Sequence, residues 1–284
     1  MKRLLFILIL VLCLSGCTPQ QSVDIVATTR PVYDFTAFLC QGTDLKVGQL
    51  ITENVSCLHD YSLSVSQVKK LESADKVVIS GAGLEAFMED LPVARENIID
   101  ASQNVPVLEC TEHHEHDHHH VADPHIWLSP ENARQMAKNI CDSLCMAYPD
   151  QKEVITGNLS ALNGQFDALM HYAAKSLTGL SCHDLVTFHD GFGYMAHAFS
   201  LNIAAAVEEE SGSEASAKEL IGLIELVDTN KIPAIFVEVN GSVSAAGIIA
   251  GETGTAVYTL DMGMSSNYFE TMYRNIDTLK EALG

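Results

Sequence analysis

Residues Gln151 to Leu177 read QKEVITGNLSALNGQFDALMHYAAKSL. Val154, Leu159, Leu162, Phe166, Leu169 and Tyr172 recur at helical steps and charges are few, so the stretch predicts one long helix with a single apolar stripe. Periodicity alone fits a peripheral helix of one lobe as well as a spine between two. The segments on either side of it follow one plan.

Upstream, apolar runs at Val23–Ala27, Leu45–Ile51, Val77–Ile79 and Val105–Leu108 read as strands, and Val32–Leu39, Val65–Leu71 and Leu84–Asp90 as helices. Ser64 and Gln67 form a capping box. Ser129-Pro130-Glu131 opens a further helix to about Ala147, with a serine cap, proline at the first position and an acidic first turn. Downstream, strands are expected at Leu185–Phe188, Ile203–Val207, Ala234–Val239 and Ala256–Leu260. Helices are expected at Phe192–Phe199, Ser216–Val227, Val243–Ala250 and Tyr268–Leu283. Alternation of this kind argues for α/β architecture, two lobes each with a parallel sheet flanked by helices. The division expected is residues 17–150 for an N-terminal lobe, 151–178 for the linking helix and 179–284 for a C-terminal lobe.

Residues 1–16 read as a signal peptide: Lys2 and Arg3, then an apolar run from Leu4 to Leu14, then Leu14-Ser15-Gly16-Cys17. Small residues before a cysteine match a bacterial lipoprotein signal, which would place a diacylglyceryl anchor on Cys17 and the body outside the cell membrane. An ordinary secretory signal is the alternative. Removing Lys2 and Arg3 takes the net charge from −21 to −23. Such a surface excludes nucleic acid and anionic lipid as partners. Cys40, Cys57, Cys110, Cys141, Cys145 and Cys182 then remain, enough for up to three disulfides of unreadable connectivity. No C-x-x-C pair is present, which argues against a zinc-cysteine cluster.

Candidate chemistry lies in histidine. His113, His114, His116, His118, His119 and His120 fall in a polar tract, residues 113–120, that cannot build a core. His125 follows, held between Pro124 and the only tryptophan, Trp127. His59, His125 and His189 each stand past the end of an expected strand, and Asp261 does the same after Ala256–Leu260. Sites in parallel sheets lie at the carboxyl ends of strands. If both lobes face each other there, three imidazoles and a carboxylate close a tetrahedral metal site. Each residue alone also reads as a solvated loop or turn residue. His171, His183 and His197 are expected to stand outside the site.

These residues sit in longer motifs: Leu58-His59-Asp60-Tyr61, Asp123-Pro124-His125-Ile126-Trp127, Thr187-Phe188-His189-Asp190-Gly191-Phe192-Gly193-Tyr194, Glu214-Ala215-Ser216-Ala217-Lys218, Ile235-Phe236-Val237-Glu238 and Leu260-Asp261-Met262-Gly263. Together with the segment from Asn267 to Asn275 they resemble the zinc- and manganese-specific substrate-binding proteins of ABC importers. The resemblance covers nearly the whole mature chain. It implies two lobes joined by a rigid helix, a metal between them, and His59, His125, His189 and Asp261 as ligands. It also implies a monomeric, non-enzymatic carrier with an ABC permease and its ATPase as partners. The tract resembles the His-rich loop of the zinc-binding branch. Ala215 stands where the family has proline, and Leu58 where some zinc members have a glutamate that can ligate.

Histidine rather than glutamate at position 189 favours Zn2+ over Mn2+, since imidazole suits zinc and manganese prefers oxygen donors. Manganese or broad divalent binding is the alternative within the class. The tract reads as a weak zinc collector or as a solvated low-complexity loop. A zinc hydrolase is the competing class, but four protein ligands leave no open position and no H-E-x-x-H motif occurs. A surface adhesin is compatible with the anchor and has no supporting motif.

Overall fold

The computed structural model describes residues 23–53, 58, 61–88, 91, 93–108, 123–207, 216–239, 241–264 and 266–284. Two four-stranded parallel sheets form its frame. The first holds β1 (Ile25–Ala27), β2 (Val47–Gln49), β3 (Lys76–Ile79) and β4 (Ile98–Asp100) in the order β2-β1-β3-β4. The second holds β5 (Asp184–Thr187), β6 (Asn202–Ala206), β7 (Ala234–Glu238) and β8 (Ala256–Leu260) in the order β6-β5-β7-β8. Both halves therefore share one strand order, and in each the connection reverses direction beside the first strand. That reversal opens a crevice at the strands' carboxyl ends.

Among the described residues eight α-helices cover these sheets: α1 (Arg30–Leu39), α2 (Val65–Glu72), α3 (Pro130–Ala147), α4 (Lys152–Ser176), α5 (Gly193–Ala198), α6 (Ala217–Asn230), α7 (Ser244–Thr253) and α8 (Tyr268–Leu283). Their starts are chemically marked. Ser64 and Ser216 make capping boxes with Gln67 and Glu219, and Ser129 caps α3 with Pro130 at its first position. Each cap satisfies backbone N–H groups that a helix start leaves open.

The expected long helix is α4, and its buried face is Ile155, Leu162, Phe166, Leu169 and Ala173. Val154, read from sequence as part of the stripe, is exposed, and Ile155 takes the inward place. Phe166 meets Phe35 of α1 at 5.7 Å and Tyr268 of α8 at 6.0 Å between ring centroids. One continuous apolar core runs through the first sheet, α4, α8 and one face of the second sheet. A second core fills the other face of that sheet beneath α6 and α7. Along β7 the sides alternate, Ala234 and Phe236 facing the first core and Ile235 and Val237 the second, as pleating requires.

Two expectations fail. Val105–Leu108 is not a strand: the fourth strand is Ile98–Asp100, whose single flanking aspartate and short length hid it from the apolar count. Leu84–Asp90 is not an α-helix in its described part, which forms a single 3-10 turn at Ala86–Met88. The reason lies in Glu85, which is buried and accepts from Thr28 Oγ1 at 2.7 Å, the Ser80 amide at 2.7 Å and the Gly81 amide at 3.0 Å. Its carboxylate fills the crevice of the first sheet and draws the chain away from helical geometry.

Among the described residues no helix is long and apolar enough to cross a membrane. Cys40, Cys141, Cys145 and Cys182 are free thiols, so none of them supplies the disulfides that the even count allowed.

Burial pushes the Glu85 carboxyl up to about 7 from an ordinary 4.5. A raised carboxyl holds its proton more tightly in the folded state, so its contribution is complete below pH 4.5 and is lost as pH rises through about 7. Urea unfolding of the metal-free protein at pH 5 and pH 8 is expected to show this loss, roughly 3 kcal/mol from this group. Glu85→Gln removes that part of the dependence; an unchanged difference between the two pH values would reject the assignment.

Candidate metal centre

The crevice of the second sheet is lined by residues that its strands deliver directly. His189 follows β5 by two positions and Glu238 is the last residue of β7, the two strands flanking the reversal. The His189 Nδ1 lies 3.2 Å from Glu238 Oε1. Glu238 is buried, and its Oε2 has no hydrogen-bond partner. Burial first, and the charge of Asp261 second, push its carboxyl up to about 7.

The opposite wall repeats the construction. Asp123 Oδ1 lies 2.8 Å from His125 Nδ1 and also accepts the His125 backbone N–H at 2.9 Å. His125 is buried and turns into a 3-10 segment, Ile126–Leu128, ahead of α3. Its place is therefore not a strand end, as the sequence suggested, because the strand expected before the tract does not exist.

With both Nδ1 atoms occupied by carboxylates, the two Nε2 atoms face each other at 3.4 Å, the rings nearly perpendicular at 86°. When each Nδ1–H donates to its carboxylate, each Nε2 carries a lone pair. Two lone pairs at that separation repel unless a proton or cation lies between them. Two zinc–nitrogen bonds of tetrahedral geometry set their nitrogens roughly 3.3 Å apart. The pair thus has the spacing that a tetrahedral cation requires.

Gly191 makes this approach possible. A Cβ at that position would stand 2.5 Å from Met262 Cε, 2.6 Å from His189 Cδ2 and 2.9 Å from His125 Nδ1. Only a residue without a side chain leaves both imidazoles where they are. Asp261 follows β8 directly and is buried. Its Oδ1 accepts the Gly263 amide at 2.8 Å and its Oδ2 lies 3.2 Å from Arg274 Nη2. Gly263 holds φ at +79°, which closes that turn. The turn is fixed to the His125 segment by Trp127 Nε1, which donates to the Met262 carbonyl at 2.7 Å.

Among the described residues no group of three or more His, Cys, Asp or Glu side chains forms a metal-sized cluster. The structure brings His125 and His189 together and sets Asp261 beside Glu238, with its carboxylate turned to Arg274. His59, Cys17 and the tract residues His113, His114, His116, His118, His119 and His120 lie outside the described residues. The two stems of the tract are held side by side: the Asp123 amide donates to the Leu108 carbonyl at 3.0 Å. Tyr194 Oη accepts from the Leu108 amide and donates to the Asp123 carbonyl, both at 2.8 Å. His171, His183 and His197 are exposed and stand apart, as expected.

Sequence reading missed Asp123, Gly191 and Tyr194 as working parts. Asp123 was detectable in principle, since an aspartate two positions before a histidine can reach both its amide and its ring. Gly191 and Tyr194 depend on contacts across the fold and left no local signal.

Two parallel sheets of one strand order, a long helix packed against α1, α3 and α8, and two opposed imidazoles have the architecture of a two-lobed substrate-binding protein. The chain belongs to the family of the zinc-uptake complex component A, periplasmic (ZnuA), whose model matches residues 25–282. It is 31% identical over 294 residues to the zinc-binding lipoprotein AdcA of Streptococcus pneumoniae, covering 95% of this chain and 58% of that protein. The chain thus spans little more than half the length of that curated relative. A crystal structure of ZnuA superposes with a TM-score of 0.82 at 27% identity, covering 93% of this chain and all of the other. Zn(II)-bound AdcA from S. pneumoniae superposes with a TM-score of 0.77 at 30% identity, covering 92% of this chain and 58% of that one.

Trp127→Phe tests the tie between the two walls. It leaves the buried Met262 carbonyl without its donor, which is expected to cost about 1–3 kcal/mol. The measurement is urea unfolding of metal-free protein; an unmoved midpoint would show that the bond carries no weight.

Proposed function

We propose that the chain captures Zn(II) as cargo between its two halves, outside the cell membrane, and passes it to the permease and ATPase of an ABC importer. The observation that carries this reading is the 3.4 Å apposition of His125 and His189 Nε2, each ring oriented by a carboxylate. The ligand set is His59, His125, His189 and Asp261, with Asp261 exchanging Arg274 for the cation. Carboxylate–imidazole pairing of this kind fixes ring orientation and raises ligand basicity. Family membership and the likeness to a zinc-binding lipoprotein support the same assignment.

On this reading residues 17–150 and 179–284 are the lobes and 151–178 the link, and a lipid on Cys17 holds the carrier near its permease. The six histidines from His113 to His120 collect zinc weakly, in a tract that leads in sequence to His125. Nitrogen donors favour zinc over manganese. Binding requires neutral imidazoles, so affinity falls with falling pH as protons compete for the ligand nitrogens.

Metal competition on the purified chain is the direct test: zinc is expected to displace manganese, and tighter manganese would reject the zinc assignment. His189→Ala is expected to weaken zinc at least tenfold. Gly191→Ala pushes the imidazoles apart and is expected to weaken zinc by about 10- to 100-fold, the range seen when a ligand's support is lost. Zinc affinity unchanged in both variants would place the site elsewhere.

Deleting residues 113–120 is expected to slow zinc capture at limiting zinc while leaving the affinity of the central site intact. Unchanged capture kinetics would reduce the tract to a solvated loop.

A further inference from the structure

Cys141 and Cys145 occupy one face of α3, one turn apart, with their Sγ atoms 4.0 Å from each other. Cys141 is buried and Cys145 half-buried, and both are free thiols. Cys145 Sγ also lies 3.7 Å from Thr156 Oγ1 and 3.9 Å from the Lys152 carbonyl, at the start of α4. Met146 stands next in sequence and is exposed. The two cysteines and Met146 line one surface cavity of 410 Å³ together with Asp142, Lys152, Thr156 and Leu159.

Two chemistries use a pair of thiols, and the helix separates them. A disulfide needs Cβ atoms roughly 3.5–4.5 Å apart. Residues four apart on a regular helix hold theirs at roughly 5–6 Å. Oxidation would therefore have to break the helical geometry of α3. A bridging metal asks for no such movement: two thiolate bonds of roughly 2.3 Å span the existing separation when they meet at a wide angle, near trigonal.

The donor set then selects the ion. Zinc in a structural site takes four N, S or carboxylate donors. Among the described residues no group of three or more His, Cys, Asp or Glu side chains gathers here or elsewhere. Two sulfurs with a thioether in the same cavity wall are soft donors, which favour Cu(I). We propose that Cys141 and Cys145 form a second, thiophilic metal site that binds one Cu(I), with Met146 as third donor, separate from the imidazole centre. Both thiols lose their protons as two copper–sulfur bonds form: one Cu(I) and two thiols give one bis-thiolate copper complex and two protons, with no change of oxidation state.

The site joins the buried face of α3, through Cys141, to the start of α4, and none of its residues belongs to the two sheets' crevices, so occupancy there leaves the imidazoles available. Exposed Met146 and half-buried Cys145 give an ion access from solvent without opening the core. Cys40 and Cys182 have no second thiol within contact among the described residues, and they serve as internal comparison.

The test uses the full chain, reduced and loaded with zinc, titrated anaerobically with Cu(I) held by bicinchoninate. The wild type is expected to withdraw one equivalent of Cu(I) with an ultraviolet thiolate-to-copper charge-transfer band, while its zinc is retained. Cys182→Ser is expected to behave like the wild type. Cys145→Ser, a near-isosteric change at a half-buried position, is expected to weaken that equivalent at least tenfold with an unchanged thermal midpoint. Met146→Leu is expected to weaken it less. Wild-type titration curves in Cys145→Ser and in Cys141→Ser/Cys145→Ser would overturn the proposal. So would rapid alkylation of both thiols in the Cu(I)-treated protein, or recovery of a Cys141–Cys145 disulfide in place of bound copper. Loss of zinc retention with copper binding intact would count against the imidazole reading alone.

Discussion

The hydrogen bond from Trp127 Nε1 to the Met262 carbonyl, 2.7 Å long and spanning 135 positions of sequence, holds the two walls of the metal centre in one frame. Trp127 is almost wholly buried, so neither partner has water as an alternative. On one side of this bond Ile126–Leu128 fixes His125; on the other Met262 is flanked by Asp261 and Gly263. Met262 Cε in turn crowds Gly191, whose missing side chain lets His125 and His189 approach. A displacement of the indole would therefore be felt at two imidazoles and a carboxylate together.

The same region is tied repeatedly. Tyr268 Oη donates to the Trp127 carbonyl at 3.0 Å, and the Tyr268 amide donates to Asp34 Oδ2 at 2.8 Å. Tyr194 joins α5 to both stems of the tract. The Tyr268 ring packs on Phe35 at 4.9 Å between centroids. These contacts join segments far apart in sequence, and each lost pairing of a buried polar group costs about 1–3 kcal/mol. A wide swing of one half away from the other would break several at once. Movement confined to the Asp261–Arg274 ion pair, whose arginine is well exposed, breaks none of them.

Much of this was legible in the sequence because it rests on local physics. Periodicity located α4, serine caps located the starts of α2, α3 and α6, and apolar runs located seven strands closely enough to give two parallel sheets. What failed failed for lack of local signal. The run Val105–Leu108 is apolar but finds no neighbour to pair with, whereas Ile98–Asp100 pairs with β3 despite its polar surroundings. Glu85 overrides a helix-compatible sequence because three donors converge on it in the crevice of the first sheet. His189 and Asp261 were placed correctly after β5 and β8, since a polar residue closing an apolar run is visible in one dimension. Glu238 was visible as a spare carboxylate closing an apolar run, and Asp123 stands two positions before His125; the glycine between the rings was not visible, because its role arises only when separate segments meet.

The crevices of the two sheets make a comparison within one molecule. In the first, Glu85 is satisfied by a hydroxyl and two amides, all from its own half, so the space is closed by its own residues. In the second, Glu238 occupies the corresponding place beside the reversal, yet one oxygen points at His189 and the other has no partner. Both carboxyls are pushed up to about 7 with burial as the first cause; hydrogen bonds oppose it at Glu85, and the charge of Asp261 adds to it at Glu238. The first half offsets it internally. The second leaves one Glu238 oxygen without a hydrogen-bond partner, beside two imidazole Nε2 atoms 3.4 Å apart. Identical topology has thus produced one crevice whose carboxylate is met by a hydroxyl and two amides and one whose carboxylate is met by an imidazole, and the difference lies in which side chains surround it.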